Sequence, residues 1–130
     1  KIADKVVGID LSQRMTAKLQ NKIRRQKIRN IKVIVGAFPE DLAQDAKFDS
    51  VISSFAIAHF PPEQRMNVYS RISDHLLGNG RLGLFSARGE FASTFEAKDD
   101  VVENLGAAGF EKIEVDDVSD IYRIVKAEKP

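Results

Sequence analysis

The sequence predicts an α/β protein built on a doubly wound, mostly parallel sheet that closes on an antiparallel hairpin. Three observations carry this reading. Apolar β-branched runs alternate with stretches of helical spacing in the order β-α-β-β-α-β-α-β-β, and such alternation argues for parallel strands joined by crossover helices. The first run, Val6-Val7-Gly8-Ile9, is continuously apolar and ends on a carboxylate, Asp10; buried parallel strands read this way. The last two runs are joined only by Asp116-Asp117-Val118-Ser119-Asp120. That connection is too short for a crossover, so those strands must run antiparallel.

Length and composition set the frame. At 130 residues, the chain has room for one domain with a real core and not for two. Residues 1–130 are therefore read as a single domain. The absence of cysteine excludes disulfides, thiolate-bound zinc and a cysteine nucleophile. No apolar run approaches the roughly 20 residues that span a bilayer, and no signal-peptide pattern opens the chain; a cytoplasmic location is the default expectation. The net charge of +1 hides an asymmetry. Between Leu11 and Pro39 there is no acid but eight bases, whereas 17 acids face 10 bases from Glu40 onward. The first residue is Lys, which points to a processed, trimmed or partial chain.

Taken in order, residues 5–10 form the first strand. Ser12 can cap the helix that follows, and residues 12–28 carry Met15, Leu19, Ile23 and Ile28 along one side. Residues 31–35 (Ile-Lys-Val-Ile-Val), bounded by Asn30 and Gly36, form a second strand. Residues 36–42 are a loop. Residues 48–55 form a third strand ending in small polar residues. Pro61-Pro62 suits a helix start, and residues 63–77 place Met66, Val68, Tyr69, Ile72, Leu76 and Leu77 at helical spacing. Gly78-Asn79-Gly80 stops that helix, and residues 81–86 form a fourth strand. Residues 87–98 have no clear period and read as a loop or short lid. Asp99 or Asp100 can cap a helix to about Ala108, with Gly109 as its stop. Residues 111–115 and 121–126 are the closing strands.

In doubly wound folds, ligands bind at the carboxyl ends of the strands. An acid there commonly accepts hydrogen bonds from ribose hydroxyls, so Asp10 proposes a nucleoside-containing ligand. The order of pieces goes further. Residues 6–12 with Met15, the loop Gly36-Ala37-Phe38-Pro39-Glu40-Asp41-Leu42, residues 48–60 ending Ser53-Ser54-Phe55-Ala56-Ile57-Ala58-His59-Phe60, and the turn Leu76-Leu77-Gly78-Asn79-Gly80-Arg81-Leu82 follow one another. In that order and spacing the chain resembles a class I S-adenosylmethionine-dependent methyltransferase, of Rossmann-like fold, from that family's second strand to its end. The resemblance implies S-adenosylmethionine as cofactor. It implies that Asp10 binds the ribose, that Leu11 and Met15 pack on adenine, and that Ser54 and Phe55 meet the methionine part mainly by backbone. Ala37 stands where the family places an Asp that contacts the adenine amino group; Phe38 can stack on the ring or fill the core.

The family's opening strand and glycine-rich loop have no counterpart here, so the fold is expected to be N-terminally truncated. The strands of residues 5–10 and 48–54 normally flank that strand. They must pair directly, accept a strand from another chain by self-association, or leave buried backbone unpaired, which is too costly.

The remaining candidates are weighed on their chemistry. His59 is the one plausible general base near the third strand, since an unperturbed imidazole titrates near 6.5; a lone His near a helix start is more often structural. His75, late in a helix, and Asp49, at a strand start, read as structural. Gly78-x-Gly80-x-x-Gly83 matches the dinucleotide fingerprint only as a string, because it ends a helix and opens a strand instead of the reverse. The amino-methylating signature, Asn or Asp followed by Pro-Pro and an aromatic, is missing; Ser53-Ser54-Phe55 stands there. No His, Asp or Glu cluster has metal-ligand spacing. The basic stretch 14–32 can meet nucleic-acid phosphates, but no aromatics interleave with it, and a solvated helix face is favoured. The resulting expectation is methyl transfer to a small molecule or protein nucleophile. The rival is a non-catalytic methyltransferase-like binding or scaffold module, or a fragment of a larger enzyme.

Overall fold

The structure is a computed structural model that describes residues 3–88 and 96–130. The described chain divides into two compact units, Lys1–Gln44 and Asp45–Pro130.

The first unit holds β1 (Val6–Asp10), α1 (Gln13–Arg25) and β2 (Ile31–Val35). β1 and β2 pair in parallel, Val6 opposite Ile31 and Asp10 opposite Val35. Ser12 is the N-cap of α1, its side chain accepting from the Met15 N–H. The helix ends earlier than its apolar spacing suggests, with Gln26 as C-cap and Lys27 at φ 54. Its expected inward stripe is only partly inward. Met15 and Leu19 are exposed, and the fully buried residue is Thr16, whose hydroxyl donates to the Ser12 carbonyl at 3.0 Å.

The second unit holds β3 (Phe48–Ser54), two 3-10 turns (Ile57–His59 and Pro62–Gln64), α2 (Arg65–Asp74), β4 (Leu76–Ala87), α3 (Lys98–Ala107), β5 (Glu111–Asp116) and β6 (Tyr122–Glu128). Its sheet runs β3-β4-β6-β5. β3 and β4 are parallel; β6 is antiparallel to both β4 and β5. β1 is thus an end strand of a two-stranded sheet and β3 an end strand of a four-stranded one. Among the described residues, the buried apolar side chains all lie in this second unit. Val68, Tyr69 and Ile72 of α2 and Val101 and Leu105 of α3 pack with Leu76, Leu82, Leu84, Val125 and Ala127 of the sheet, at the i, i+3 and i+4 spacings of helix faces.

Two expectations are corrected. Leu76 and Leu77 continue the apolar spacing of α2 but belong to β4. The helix closes at His75 because the Lys129 Nζ donates to the carbonyls of Ser73 and Leu76 at 2.7 and 2.9 Å. The extended chain beyond is tied to the far end of the protein, Asn79 N–H to Lys129 O and Lys129 N–H to Gly80 O. Asp99 and Asp100 do not cap α3: Ala97 is the N-cap with no side-chain bond, and the two acids lie in the first turn, where they complement the helix dipole. Gly109 ends the helix at φ 95, as expected of a glycine stop. Most of the 87–98 loop lies outside the described residues.

Candidate functional site

The first unit builds its site at the carboxyl end of β1. The Gly36 N–H donates to the Asp10 carbonyl at 2.9 Å, tying the strand end to the loop after β2. The Asp10 Oδ1 accepts from the Ser12 N–H at 2.8 Å, an Asx turn that fixes the carboxylate's orientation. Among the described residues the other carboxylate oxygen has no hydrogen bond. Asp10 therefore serves the turn with one oxygen and leaves one for a ligand. Beside it stand Leu11 and Met15, exposed at 73% and 55%. Apolar side chains left in water next to an open carboxylate suit a ligand with a flat apolar part and a hydroxyl-bearing part.

The loop after β2 is held by a residue that sequence reasoning passed over. The Asp41 Oδ2 accepts from the Ala37 N–H at 2.8 Å, and the Asp41 N–H donates to the Ala37 carbonyl at 2.9 Å. A Cβ at Gly36 would lie 2.5 Å from that Oδ2 and 2.7 Å from the Asp41 Cβ, so only glycine lets the loop close this tightly. Ala37 is thus fixed through its backbone, and Phe38, half-buried, precedes a cis bond to Pro39. Nothing in the spacing of residues 36–42 singles out Asp41 over Glu40.

The second unit builds its site where β3 and β4 end side by side. Ser54 lies opposite Phe85, and the Phe55 N–H donates to the Phe85 carbonyl at 2.7 Å. Phe55 has φ 57, a left-handed conformation that costs a bulky residue free energy. His59 ends the first 3-10 turn with its ring exposed. His75 is buried, its Nδ1 2.8 Å from the Ala46 carbonyl, and has a structural place. Asp49 is exposed at the opposite end of β3 from Ser54.

Behind these strand ends lies a charged network. The Glu96 carboxylate accepts from the Tyr69 hydroxyl at 3.0 Å and from the Asn104 amide at 2.7 Å, and lies 3.6 Å from the Arg65 guanidinium. The Arg123 Nε donates to Asp117 at 2.6 Å and its Nη1 to the Glu96 carbonyl at 2.6 Å. Burial, and then the Glu96 carboxylate beside it, pushes the Tyr69 phenol well above its ordinary range, so it stays a donor. The hydrogen bond from Arg123 holds the Asp117 carboxyl below the usual carboxylate range. Arg65 and Tyr69 face a cavity of about 30 Å³, also lined by Ile57, Ala58, Glu96 and Arg123. Glu96 meets Tyr69 and Arg123 across 27 positions of sequence each, and no local spacing announces those contacts.

The eight bases between Leu11 and Pro39 are all exposed, and none forms an ion pair among the described residues. No helix among those residues is long and apolar enough to cross a membrane. The first unit fits a nucleoside-containing cofactor: it offers a strand-end carboxylate with an open oxygen, an exposed Leu–Met pair and a glycine-tightened loop.

Comparison with known proteins bears on the family and the fold. A family profile described as "Methyltransferase domain" matches residues 1–80. No curated protein matches the sequence. Among solved structures, magnesium protoporphyrin IX methyltransferase (ChlM) from Synechocystis PCC 6803, with bound SAM, is similar at a TM-score of 0.76 and 21% identity, over 97% of this chain and 60% of that one. N-methyltransferase NodS from Bradyrhizobium japonicum WM9, in complex with S-adenosyl-L-homocysteine, is similar at 0.77 and 13%, over 97% and 67%. The [4+2]-cyclase SpnF is similar at 0.82 and 18%, over 97% and 66%. The chain thus spans about two thirds or less of the length of these structures, and at these identities the likeness is one of fold. With a family profile covering more than half of the sequence and the same fold over nearly all of it, the chain belongs to the class I S-adenosylmethionine-dependent methyltransferase family.

Proposed function

We propose that this chain takes part in methyl transfer from S-adenosylmethionine to a small-molecule or protein nucleophile. The observation that supports this best is Asp10. It ends β1 with one oxygen uncommitted, and Leu11 and Met15 stand exposed beside it. In this reading Asp10 holds the ribose. Leu11 and Met15 pack on adenine, Ala37 and Phe38 border it, and the backbone of Ser54 and Phe55 meets the methionine part. S-adenosylmethionine, when bound, supplies a methyl group activated on a sulfonium sulfur. The chain's task is then to orient the acceptor in line with that methyl, since holding reactants in attack geometry lowers the barrier. His59 is the base assigned to take the acceptor's proton.

Isothermal titration with S-adenosylmethionine and S-adenosylhomocysteine tests the reading. Binding is expected, and Asp10→Ala should weaken it by about 1–3 kcal/mol, the cost of leaving ligand hydroxyls without their acceptor. No heat at millimolar ligand sinks the proposal; unchanged affinity in the variant removes Asp10 from the site. Transfer of labelled methyl to candidate acceptors, with His59→Gln alongside, tests the base.

A second reading is a cofactor-binding module that does not transfer methyl groups. SpnF, similar in fold, is described as a [4+2]-cyclase, and a fold does not fix a reaction. Cofactor binding without methyl transfer to any acceptor favours it. We also propose self-association. β1 and β3 are both end strands, and an open strand edge is a template for pairing with another chain. Sedimentation should show a concentration-dependent dimer; a monomer at all concentrations removes this part.

A further inference from the structure

The outer side of α1 carries a row of positive charge that neither the assigned cofactor contacts nor the charged network uses. Arg14, Lys18, Lys22 and Arg25 follow one another at steps of four, four and three residues. At that spacing they line one side of the helix over about 16 Å. All four are exposed. Thr16, the buried residue of α1, lies two positions from both Arg14 and Lys18, about 200° round the axis. The row therefore faces away from the buried side of the helix and into water.

The sequence alone favours a solvated face for these bases. The structure adds that the row is isolated. α1 contains no acid, and none of the four cations forms an ion pair among the described residues. Helix faces that simply meet solvent gain from opposite charges four residues apart, and like charges at that spacing destabilise. Arg14–Lys18 and Lys18–Lys22 are such like pairs, and nothing in the described chain offsets them.

The surroundings of the row select its partner. A Cβ at Gly8 of β1 would lie 3.9 Å from the Leu19 Cδ2, so Leu19 sits against the sheet, and Ile23 is half-buried. A helix that lies on a membrane buries its apolar side in the lipid, and that side of α1 is engaged already. Ala17, Gln20 and Asn21 fill the exposed side next to the row, with none of the aromatic anchors on which protein interfaces depend. Nor is there an aromatic platform for the bases of a single strand. A regularly charged duplex backbone needs neither. The helix, about 10–12 Å across, fits the roughly 12 Å major groove of B-form DNA, whereas the major groove of duplex RNA is deep and narrow.

We propose that the outer side of α1 docks on double-stranded DNA, with Arg14, Lys18, Lys22 and Arg25 meeting backbone phosphates. The test is fluorescence anisotropy with a labelled mixed-sequence DNA duplex of about 20 base pairs, two helical turns. Four phosphate contacts predict an affinity that falls about a hundredfold between about 50 and 200 mM salt. Lys18→Gln combined with Lys22→Gln keeps good helix formers at exposed positions. That variant should weaken binding about tenfold at the lower salt and reduce the slope of log affinity against log salt by about two. Lys98→Gln combined with Lys126→Gln removes the same charge from exposed positions of the second unit and should leave both quantities unchanged.

No binding at the lower salt, or a Lys98/Lys126 variant as weak as the Lys18/Lys22 variant, overturns the proposal. So does equal affinity for an RNA duplex of the same sequence, for the single strand, for polyglutamate or for vesicles of anionic lipid. A dimer that sediments without DNA and that only the Lys18/Lys22 variant disrupts gives the row to a second copy, and overturns it too. All titrations omit S-adenosylmethionine. Failure to bind DNA therefore leaves the methyl-transfer reading standing, and failure to bind the nucleoside leaves the DNA-docking row standing.

Discussion

At the scale of single residues, the carboxylates divide their work by what holds them. Asp10 gives one oxygen to a turn and keeps one open. Asp41 is spent on its own loop. Asp117 is held by Arg123 at 2.6 Å and lies 3.5 Å from Arg88. The folded pKa of Asp117 is lowered, first through the Arg123 hydrogen bond. A depressed carboxyl stabilises the fold above its unfolded pKa of about 3.9 and loses that contribution as pH falls through the folded value. Acid titration monitored by circular dichroism should therefore show stability declining below about pH 4. Asp117→Asn should lower stability at neutral pH and flatten that decline, and an equally steep acid limb in the variant would assign the dependence to other groups. The Asp10 to Ser12 to Met15 capping sequence was legible because all its bonds are local. Asp41, Glu96 and Arg123 were not legible, because their roles depend on a tight loop closure or on partners far along the chain.

At the scale of elements, pairing overrode periodicity where the two conflicted. The apolar spacing of α2 runs on through Leu76 and Leu77, yet Leu76 pairs with Phe48 at the start of β3. A ladder partner 28 residues earlier cannot be seen in a helical pattern. α1 shows the same limit differently. Its spacing was correct as a helix, but the face read as inward leaves Met15 and Leu19 in solvent, while Thr16 turns in. The β5–β6 hairpin was legible from its short acidic connection, since geometry left no other pairing. The loop after β2 gives an element-scale prediction. Gly36→Ala places a Cβ 2.5 Å from the Asp41 carboxylate, so Asp41 must leave the Ala37 N–H. A loss of about 1–3 kcal/mol in urea melts is expected, from overpacking and a broken hydrogen bond. Asp41→Ala alone should cost less, and the double variant should fall short of the sum because the two act on one contact. Additive costs would show that the two residues are not coupled.

At the scale of the whole molecule, the apolar core is unevenly shared. Tyr69, Leu76, Leu105 and Val125 are nearly inaccessible in the second unit, whereas β1 and β2 form a two-stranded ladder of five residues each. Two-stranded sheets are marginal without a packed face. Amide hydrogen exchange should follow that division. The β4–β6 ladder should exchange only near global unfolding. The β1–β2 ladder should exchange through local opening, with protection about tenfold or more lower. Equal protection in the two sheets would contradict it. Bound S-adenosylhomocysteine should raise protection at Asp10 and Gly36 if the first unit holds the nucleoside. The α/β order and the closing hairpin were legible in the alternation of apolar runs. The uneven core was not, because apolar residues occur in both units while burial depends on which faces meet.

That uneven core also bears on how the chain is made. The ribosome delivers residues in order, so the unit Lys1–Gln44 emerges before any of the buried residues of Asp45–Pro130 exist. Having no fully buried apolar side chain among its described residues, it gains little by collapsing alone. Synthesis of the remainder, at about 5–20 residues per second, then adds the residues that form the apolar core. The acid-free, eight-base segment of the first unit carries one sign of charge, so copies of it repel one another. The stretch read as a solvated helix face thus also favours solubility.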